Sequence, residues 1–176
     1  MVVDIIQKEH PTLRTTSREV PLSEIGTPAI KKIIEDMVTA MESQDDGVAI
    51  AAPQIGKSYR IFIVSHKVFE LVPGHKQRRG KHMVCINPVI TKLSKDKKNL
   101  EEGCLSVRYL YGKVARSHKA SVTALDETGT SFTINGSGLL AQIFQHEVDH
   151  LNGILFIDKA KNVEEIIPEN VAKHTN

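Results

Sequence analysis

The chain has 176 residues, of which 40% are hydrophobic and 25% are charged, and its formal net charge at pH 7 is +2. This balance is typical of a soluble globular protein and excludes a disordered chain, while the small net charge argues against a specific nucleic acid as the main partner. We therefore predict a single domain over residues 1–176. The two cysteines can form at most one disulfide, so a reducing compartment is expected.

Targeting signals are not expected in this chain. The N-terminal segment MVVDIIQKEH has its apolar run interrupted by Asp4 and lacks a basic leader, so it does not resemble a secretory signal. No stretch reaches the roughly 18 apolar residues that a membrane-spanning helix needs. These observations predict a cytoplasmic protein with no membrane partner.

The first predicted element is an amphipathic helix that begins after Thr27. Thr27 is a good capping residue, and proline at position 28 suits the first turn of a helix. Apolar side chains then recur at helical spacing, namely Ile30, Ile33, Ile34, Met37, Val38 and Met41. This stripe predicts a helix packed on a core.

Short segments rich in β-branched residues follow, and turn-forming residues bound each of them. RIFIVS from Arg60 and MVCINPVI from Met83 are predicted to be strands. Between them, PGHKQRRGKH is basic and has no apolar periodicity, which predicts a solvated loop, with contact to RNA or another polyanion as the less favoured alternative. KLSKDKK from Lys92 is predicted to be an exposed turn.

The second half of the chain predicts a hairpin, a helix and a short strand. Apolar and polar residues alternate over residues 120–124 and again from Phe132, with DETG as the turn between them. The helix is predicted to run from Ser137, as its N-cap, to Leu151, where Asn-Gly ends it. ILFID is predicted to be a last strand, and no pattern anchors the tail from about residue 162. Local hairpins with two separate helices indicate the α+β class.

The segment QHEVDH in the second helix places Glu147 between two histidines. His146 and His150 are four residues apart, so they share one helix face and could chelate one metal ion. Glu147 falls on the apolar side, where a carboxylate is costly unless it is paired, metal-associated or protonated. In a partly dry site its pKa would be raised, which suits proton transfer. The alternative is a pair of core histidines with Glu147 bent back to solvent.

A tetrahedral catalytic site needs a third protein ligand and leaves its fourth position for water. The upstream candidate is Cys104 in EEGCLSV, although an isolated cysteine of this kind is more often a small core residue. Cys85 lies in an apolar strand and is assigned to the core. The tail offers the remaining candidates, namely Glu164, Glu165, Glu169 and His174.

Three segments together resemble the peptide deformylases. They are GVAIAAPQ (47–54), EGCLS (102–106) and QHEVDH (145–150). That family is marked by a glycine-rich segment ending in Ala-Ala-x-Gln, by Glu-Gly-Cys-Leu-Ser and by Gln-His-Glu-x-Asp-His, in this order. One motif alone is weak evidence, but three in order are strong. The resemblance implies mixed or antiparallel sheets packed around a central metal-bearing helix.

The resemblance also implies a metal site when it is carried over by motif position. Cys104, His146 and His150 would bind one divalent ion, and Glu147 would act as general acid and base. In the family the physiological ion is commonly Fe²⁺, and Zn²⁺, Ni²⁺ or Co²⁺ can occupy the same ligands. The ligand types alone do not select among these ions, because thiolate and imidazole accept several of them.

An oxyanion hole and a substrate cleft are implied in the same way. Gln54, through its side-chain amide, and Leu105, through its backbone N–H, would stabilise the developing negative charge. Considered alone, Gln54 would be read as a loop residue that caps a turn. The predicted substrate-binding residues, which include candidates for the wall of an apolar methionine pocket, are Val48, Ala49, Gly103, Leu139 and Ile143.

The activity implied by the resemblance is removal of the formyl group from N-formylmethionyl peptides, with release of formate and a possible transient ribosome contact. The chain departs from the family at Ala49, where a second glycine is usual, and at Ile50, where leucine is usual. After EGCLSV, residues 108–111 (RYLY) replace the usual proline or small residue. These departures leave the peptide preference beyond methionine undetermined.

Two alternatives compete with this interpretation. A zinc peptidase of the His-Glu-x-x-His type would cut internal peptide bonds and take its third ligand from the tail. A degenerate homologue would keep the metal and bind formylated peptides without turnover, and Ala49 is the feature that favours it.

Overall fold

Two antiparallel sheets surround one central helix in the structure, a computed structural model that describes residues 2–168. The helices are α1 (Pro28–Glu42), α2 (His66–Leu71) and α3 (Leu139–Leu151). The strands are β1 (Ala49–Ala51), β2 (Ile61–Val64), β3 (Met83–Leu93), β4 (Lys97–Glu102), β5 (Leu110–Ser117), β6 (Lys119–Leu125), β7 (Ser131–Ser137) and β8 (Lys161–Glu165). The predicted α+β class is confirmed.

The larger sheet has the strand order β1-β2-β3-β6-β7, and its strand β2 is buried on both faces. Side chains alternate between the faces of a strand. Ile61 and Ile63 of β2 pack with α1, whereas Phe62 and Val64 pack in the cluster that contains the apolar side of α3. Burial on both faces explains why β2 reads as a continuous apolar run. The smaller sheet, of order β4-β5-β8, contacts α3 through β5.

Helix α1 forms where the apolar spacing predicts it. Pro28 is its first residue and Thr27 occupies the N-cap position. Ile30, Met37 and Met41 are buried against the larger sheet. Within residues 2–168, no helix is both long enough and apolar enough to cross a membrane.

The predicted end of α3 at Leu151 is confirmed, but the predicted N-cap of this helix and the strand predicted after it are wrong. Ser137, the predicted N-cap, is the last residue of β7, and Gly138 precedes the helix with φ 56°. The predicted strand ILFID is instead a 3₁₀ turn over Phe156–Asp158. The Asp158 carboxylate accepts a hydrogen bond from the Leu155 N–H at 3.0 Å. This side-chain contact closes the turn, and the apolar run alone does not reveal it.

Several elements were not predicted. The turn expected at Lys92 is shorter than KLSKDKK, because β3 continues to Leu93 and β4 begins at Lys97. Strands β1, β4, β5 and helix α2 also lack a clear sequence pattern. Residues 161–165, where no anchoring pattern was found, pair with β5 as the exposed edge strand β8. The tail candidates Glu169 and His174 lie outside the described residues.

We predict that Gly153, just after α3, tolerates substitution poorly. Its φ is 73°, and a Cβ there would lie 2.7 Å from the backbone oxygen of Arg14. Gly56 has a similar φ of 75° but open space around the Cβ position. Gly56→Ala should therefore cost only the left-handed strain of about 1–2 kcal/mol, whereas Gly153→Ala should cost clearly more. Urea unfolding of both variants measures this difference, and equal costs would contradict the steric argument.

Candidate metal centre

The three predicted metal ligands converge in the structure. One ligand atom from each of Cys104, His146 and His150 lies within 4.8 Å of the other two. The Cys104 Sγ is 3.2 Å from the His150 Nε2, and the two imidazole ring centroids are 4.9 Å apart. Helix α3 stacks the histidines on one face, and the loop after β4 brings the thiol to them. One sulfur and two ring nitrogens are a donor set that fits a divalent transition-metal ion.

Both imidazoles are in environments that bear on metal binding. Burial lowers the pKa of His150 well below its usual value, so its ring is neutral and keeps a lone pair. Burial opposes a charge on His146, but contacts with Cys104 and Glu102 raise its pKa well above the usual value. The Glu102 carboxylate lies 2.9 Å from His146 Nδ1, which directs Nε2 towards the ligand cluster. A carboxylate behind a ligand histidine is the common way in which proteins orient metal-binding imidazoles.

Glu102 belongs to a buried network of charges that connects three elements. Arg116 of β5 donates to both Glu102 oxygens, at 2.6 and 3.0 Å, and to the Asp149 carboxylate of α3 at 2.7 Å. The Lys159 ammonium contacts both Asp149 oxygens at 2.8 Å. Burial opposes ionisation of Glu102, but Arg116 and His146 lower its pKa to about 2. Glu102 is therefore charged, with both of its oxygens paired.

Glu147 lies in a different environment on the same helix. Its side chain points inwards and only 3% of the residue is exposed, so the alternative in which it bends back to solvent is wrong. Its Oε2 has no hydrogen-bond partner among residues 2–168. Burial raises its pKa to about 7. A carboxyl group with this pKa can both accept and return a proton near neutral pH.

Gln54 and Leu105 flank the thiol of Cys104. Pro53 is in the 3₁₀ turn Ala52–Ile55, and the Gln54 Oε1 accepts a hydrogen bond from the Ala51 N–H at 2.8 Å. This contact orients the amide so that Nε2 lies 3.6 Å from the Cys104 Sγ and 3.2 Å from the Ser106 Oγ. The Gln54 side chain therefore places its amide N–H group beside the candidate ligand cluster.

A cavity of about 200 Å³ opens beside this cluster. It is bounded by two predicted ligands, Cys104 and His146, while His150 lies buried behind them. The other predicted site residues all line it, namely Val48, Ala49, Gln54, Gly103, Leu105, Leu139, Ile143 and Glu147. The structure therefore brings the three sequence motifs together around one space.

The residues that depart from the family pattern also border this cavity. Arg108 forms a bidentate pair with Asp46, at 2.6 and 3.1 Å, and so joins the loop after Cys104 to the segment before β1. The Tyr111 ring lies against Gly103, where a Cβ would be only 2.7 Å from the ring. Any larger residue at position 103 would therefore require the Tyr111 ring to move. Arg108 and Tyr111 shape the cavity mouth of this chain.

Sequence reasoning missed the residues that support the ligands. Glu102 begins the motif EGCLS, and Asp149 lies three residues after His146, but neither was given a role. Arg116 was not identified, and its position in an unpredicted strand left no local signal. The one sequence signal for these supporting residues was a polar stripe on α3, formed by Gln142, Gln145 and Asp149. Gln145 and Asp149 are buried, which shows that the stripe faces the protein and not solvent.

Comparisons with known proteins agree with one another. A family model described as polypeptide deformylase matches residues 2–165. A peptide deformylase of Carboxydothermus hydrogenoformans is 40% identical over 164 residues, covering 92% of this chain and 95% of that protein. Peptide deformylase 1A of Arabidopsis thaliana, chloroplastic/mitochondrial, is 39% identical over 163 residues, covering 89% of this chain. The chain spans 60% of the length of this plant relative.

A solved structure extends the likeness to three dimensions. The crystal structure of a class I type b peptide deformylase from Acinetobacter baumannii, with Met-Ala-Ser bound, superposes with a TM-score of 0.79. The two sequences are 32% identical, and the alignment covers 90% of this chain and 99% of that chain.

We predict that the charge of Glu102 stabilises the fold in a pH-dependent way. Its pKa falls from the usual value of 4.5 to about 2 in the folded protein. The stabilisation is complete above pH 4.5 and is lost as the pH falls towards 2, and it amounts to about 3 kcal/mol. Glu102→Gln should remove this acid-dependent loss and destabilise the protein at neutral pH by about 3–5 kcal/mol, because Arg116 loses a buried partner.

Urea unfolding between pH 2 and 7, in a chelator so that metal loss does not contribute, measures this effect. Glu101→Gln is the matched control, because Glu101 is the exposed neighbour of Glu102. Identical pH profiles for the Glu102 variant and the control would contradict the role of the buried network.

Proposed function

The chain belongs to the polypeptide deformylase family, as the three motifs predicted, and we propose that it hydrolyses the formyl group of N-formylmethionyl peptides. The single observation that carries this proposal is the placement of Cys104 against the two histidines, with Glu147 buried at the same cavity. The Acinetobacter relative binds Met-Ala-Ser, which is the kind of peptide that remains after deformylation of a methionyl chain.

The proposed chemistry is addition of water to the formyl carbon followed by cleavage of the C–N bond. Cys104, His146 and His150 would hold a divalent ion, which would lower the pKa of water towards about 7 and so make a nucleophile available near neutral pH. Glu147 accepts a proton from the attacking water and gives it to the leaving amine, so that formate and a free N-terminus result. The raised pKa of Glu147 supports this double role.

The oxyanion that forms on the formyl oxygen needs fixed donors. We assign this role to the Gln54 side-chain amide and the Leu105 backbone N–H. The hydrogen bond from Ala51 holds the Gln54 amide in place before substrate arrives. Losing one donor of this kind typically slows catalysis by roughly 10²–10³-fold.

We propose that the methionine side chain of the substrate occupies the apolar part of the cavity. Ile143 is buried there, while Val48 and Leu139 are partly exposed towards it. Ala49 and Gly103 also line the cavity and would border the peptide backbone. Arg108 and Tyr111 at the mouth would meet the residues that follow methionine.

The family is metal-dependent, and we propose Fe²⁺ as the ion in the cell. Zn²⁺, Ni²⁺ or Co²⁺ can take the same ligands in purified protein, because thiolate and imidazole accept all of them. We further propose that the protein acts on newly made chains in the cytoplasm, with transient ribosome contact and no specific nucleic acid or membrane partner. The compartment differs among relatives, since the Arabidopsis protein is named chloroplastic/mitochondrial.

The competing zinc peptidase would need a third ligand from the tail. Glu164 and Glu165 are exposed in β8, where they pair with β5. Cys104, in contrast, lies close enough to both histidines to share an ion with them. This geometry favours the deformylase.

The alternative of a degenerate homologue is supported by Ala49 alone, which lies in β1 at the cavity wall. Formate release from formyl-Met-Ala-Ser by anaerobically purified protein distinguishes this alternative from an active deformylase. A site fully occupied by metal but without formate release would support the degenerate homologue.

We predict that Glu147→Gln keeps the metal but loses turnover. Glutamine has the size of glutamate but cannot carry the proton, so formate release should fall by roughly 10²–10⁴-fold. Metal content by mass spectrometry and formate release from formyl-Met-Ala-Ser measure the two properties. Unchanged turnover with a loaded site would show that another group carries the proton.

We also predict that Cys104→Ala loses one equivalent of metal per chain together with the activity. The variant removes the only sulfur ligand of the cluster in residues 2–168. Cys85→Ala is the matched control, because Cys85 is buried in the core and should leave the metal content unchanged. Full metal retention in Cys104→Ala would favour a ligand from the tail and the peptidase alternative.

A further inference from the structure

A second group of potential metal ligands lies outside the proposed catalytic cavity. One ligand atom from each of Glu42, His66 and His82 lies within 4.8 Å of the other two. None of the three lines the cavity beside Cys104. We propose that these residues form a second site for a divalent ion of the zinc type.

The three residues come from separate elements, so a bound ion would connect them. Glu42 ends α1, His66 begins α2, and His82 immediately precedes β3. The Glu42 Oε1 is 3.0 Å from the His82 Nε2, and the two imidazole centroids are 5.1 Å apart. Two imidazoles and one carboxylate, with further positions open to water, form one of the common three-residue zinc sets.

The surroundings of His66 support its role as a ligand. The Glu70 carboxylate lies 3.4 Å from the His66 Nδ1, one helical turn away. A carboxylate that accepts the Nδ1 proton leaves a lone pair on Nε2, which is the arrangement that orients ligand histidines in metal sites. Glu70 also adds negative charge beside a dication.

One hydrogen bond of His82 must break before this residue can bind a metal ion. The His66 backbone N–H donates to the His82 Nδ1 at 3.2 Å, which favours the tautomer with its proton on Nε2, facing Glu42. Binding through Nε2 moves that proton to Nδ1 and breaks this hydrogen bond. The His66 N–H is in the first turn of a helix, where such groups have no helical partner and can bind water.

The cluster is open to ions from solution. The side chains of His82 and His66 are 21% and 30% exposed, and that of Glu42 is 50% exposed. Exposed pairs of histidine and carboxylate contribute little to stability by themselves, so an ion bound by all three residues would add a constraint that these pairs do not supply.

An ion at this second site would stabilise one wall of the cavity beside Cys104. The Ser65 N–H, next to His66, donates to the backbone oxygen of Val48 at 2.8 Å. Glu42 lies just before the turn that leads into β1. The ion would therefore hold the two segments that flank the start of β1.

The test is a Co²⁺ titration of the full chain after the metal has been removed. The site at Cys104 should give a thiolate-to-cobalt charge-transfer band, whereas the second site has no sulfur and should add only weak visible bands. We expect two equivalents of Co²⁺ per chain in the wild type, the second without the charge-transfer band. Zn²⁺ should displace both, and it should raise the melting temperature beyond the increase that the first equivalent produces.

Glu42→Gln and His66→Gln should each weaken the second equivalent at least tenfold and leave the charge-transfer band intact. Glu42→Gln is the safer variant, because the residue is exposed and glutamine can still accept a hydrogen bond from His82. His118→Gln is the matched control, a partly exposed histidine remote in sequence from the cluster. One equivalent in the wild type, or a second equivalent that survives both variants, would overturn the proposal.

Discussion

The contact of Arg116 with Glu102 and Asp149 is the constraint on which the site depends. Arg116 is in β5, Glu102 ends β4 and Asp149 is in α3, so one guanidinium joins the smaller sheet to the central helix. Cys104 follows Glu102 by two residues, and its thiol therefore reaches the histidine face of α3. Burying these charges costs desolvation energy, which their hydrogen bonds offset. The network is better understood as specifying this one arrangement than as a large source of stability.

The same network separates the properties of two neighbouring carboxylates. Glu102 and Glu147 both lie at the cavity, but Arg116 pairs with the first, whereas the second is buried and forms no ion pair among residues 2–168. Their pKa values are about 2 and about 7. A permanently charged group can orient His146, while a group that titrates near neutrality can carry a proton. Environments that move two pKa values apart in this way assign the roles of acids and bases in many enzymes.

Strand β1 connects the two ligand clusters. Its first residue, Ala49, lines the cavity beside Cys104, and the segments on either side of the strand carry Glu42 and His66. β1 is also the edge strand of the larger sheet, so one side of its backbone is available to an extended peptide. Contacts that fix the position of the start of β1 would therefore also affect how the substrate peptide binds. The Arg108–Asp46 pair also contacts the segment just before β1.

The sequence by itself determined the local features of this protein. Helical spacing predicted α1, the histidine face of α3 and the inward position of Glu147, because each depends on residues a few positions apart. The order of three motifs indicated the family. Residue spacing alone could not place the thiol, which only the family resemblance assigned to the metal site, since Cys104 meets His150 across 46 positions. Spacing also could not find Arg116, which meets Asp149 across 33 positions. Strands β4, β5 and β8 are partly exposed and carry no clear alternation, so only their pairing defines them. Tertiary structure decided these features because the energy of a buried charge or a metal ligand depends on partners that are distant in the chain.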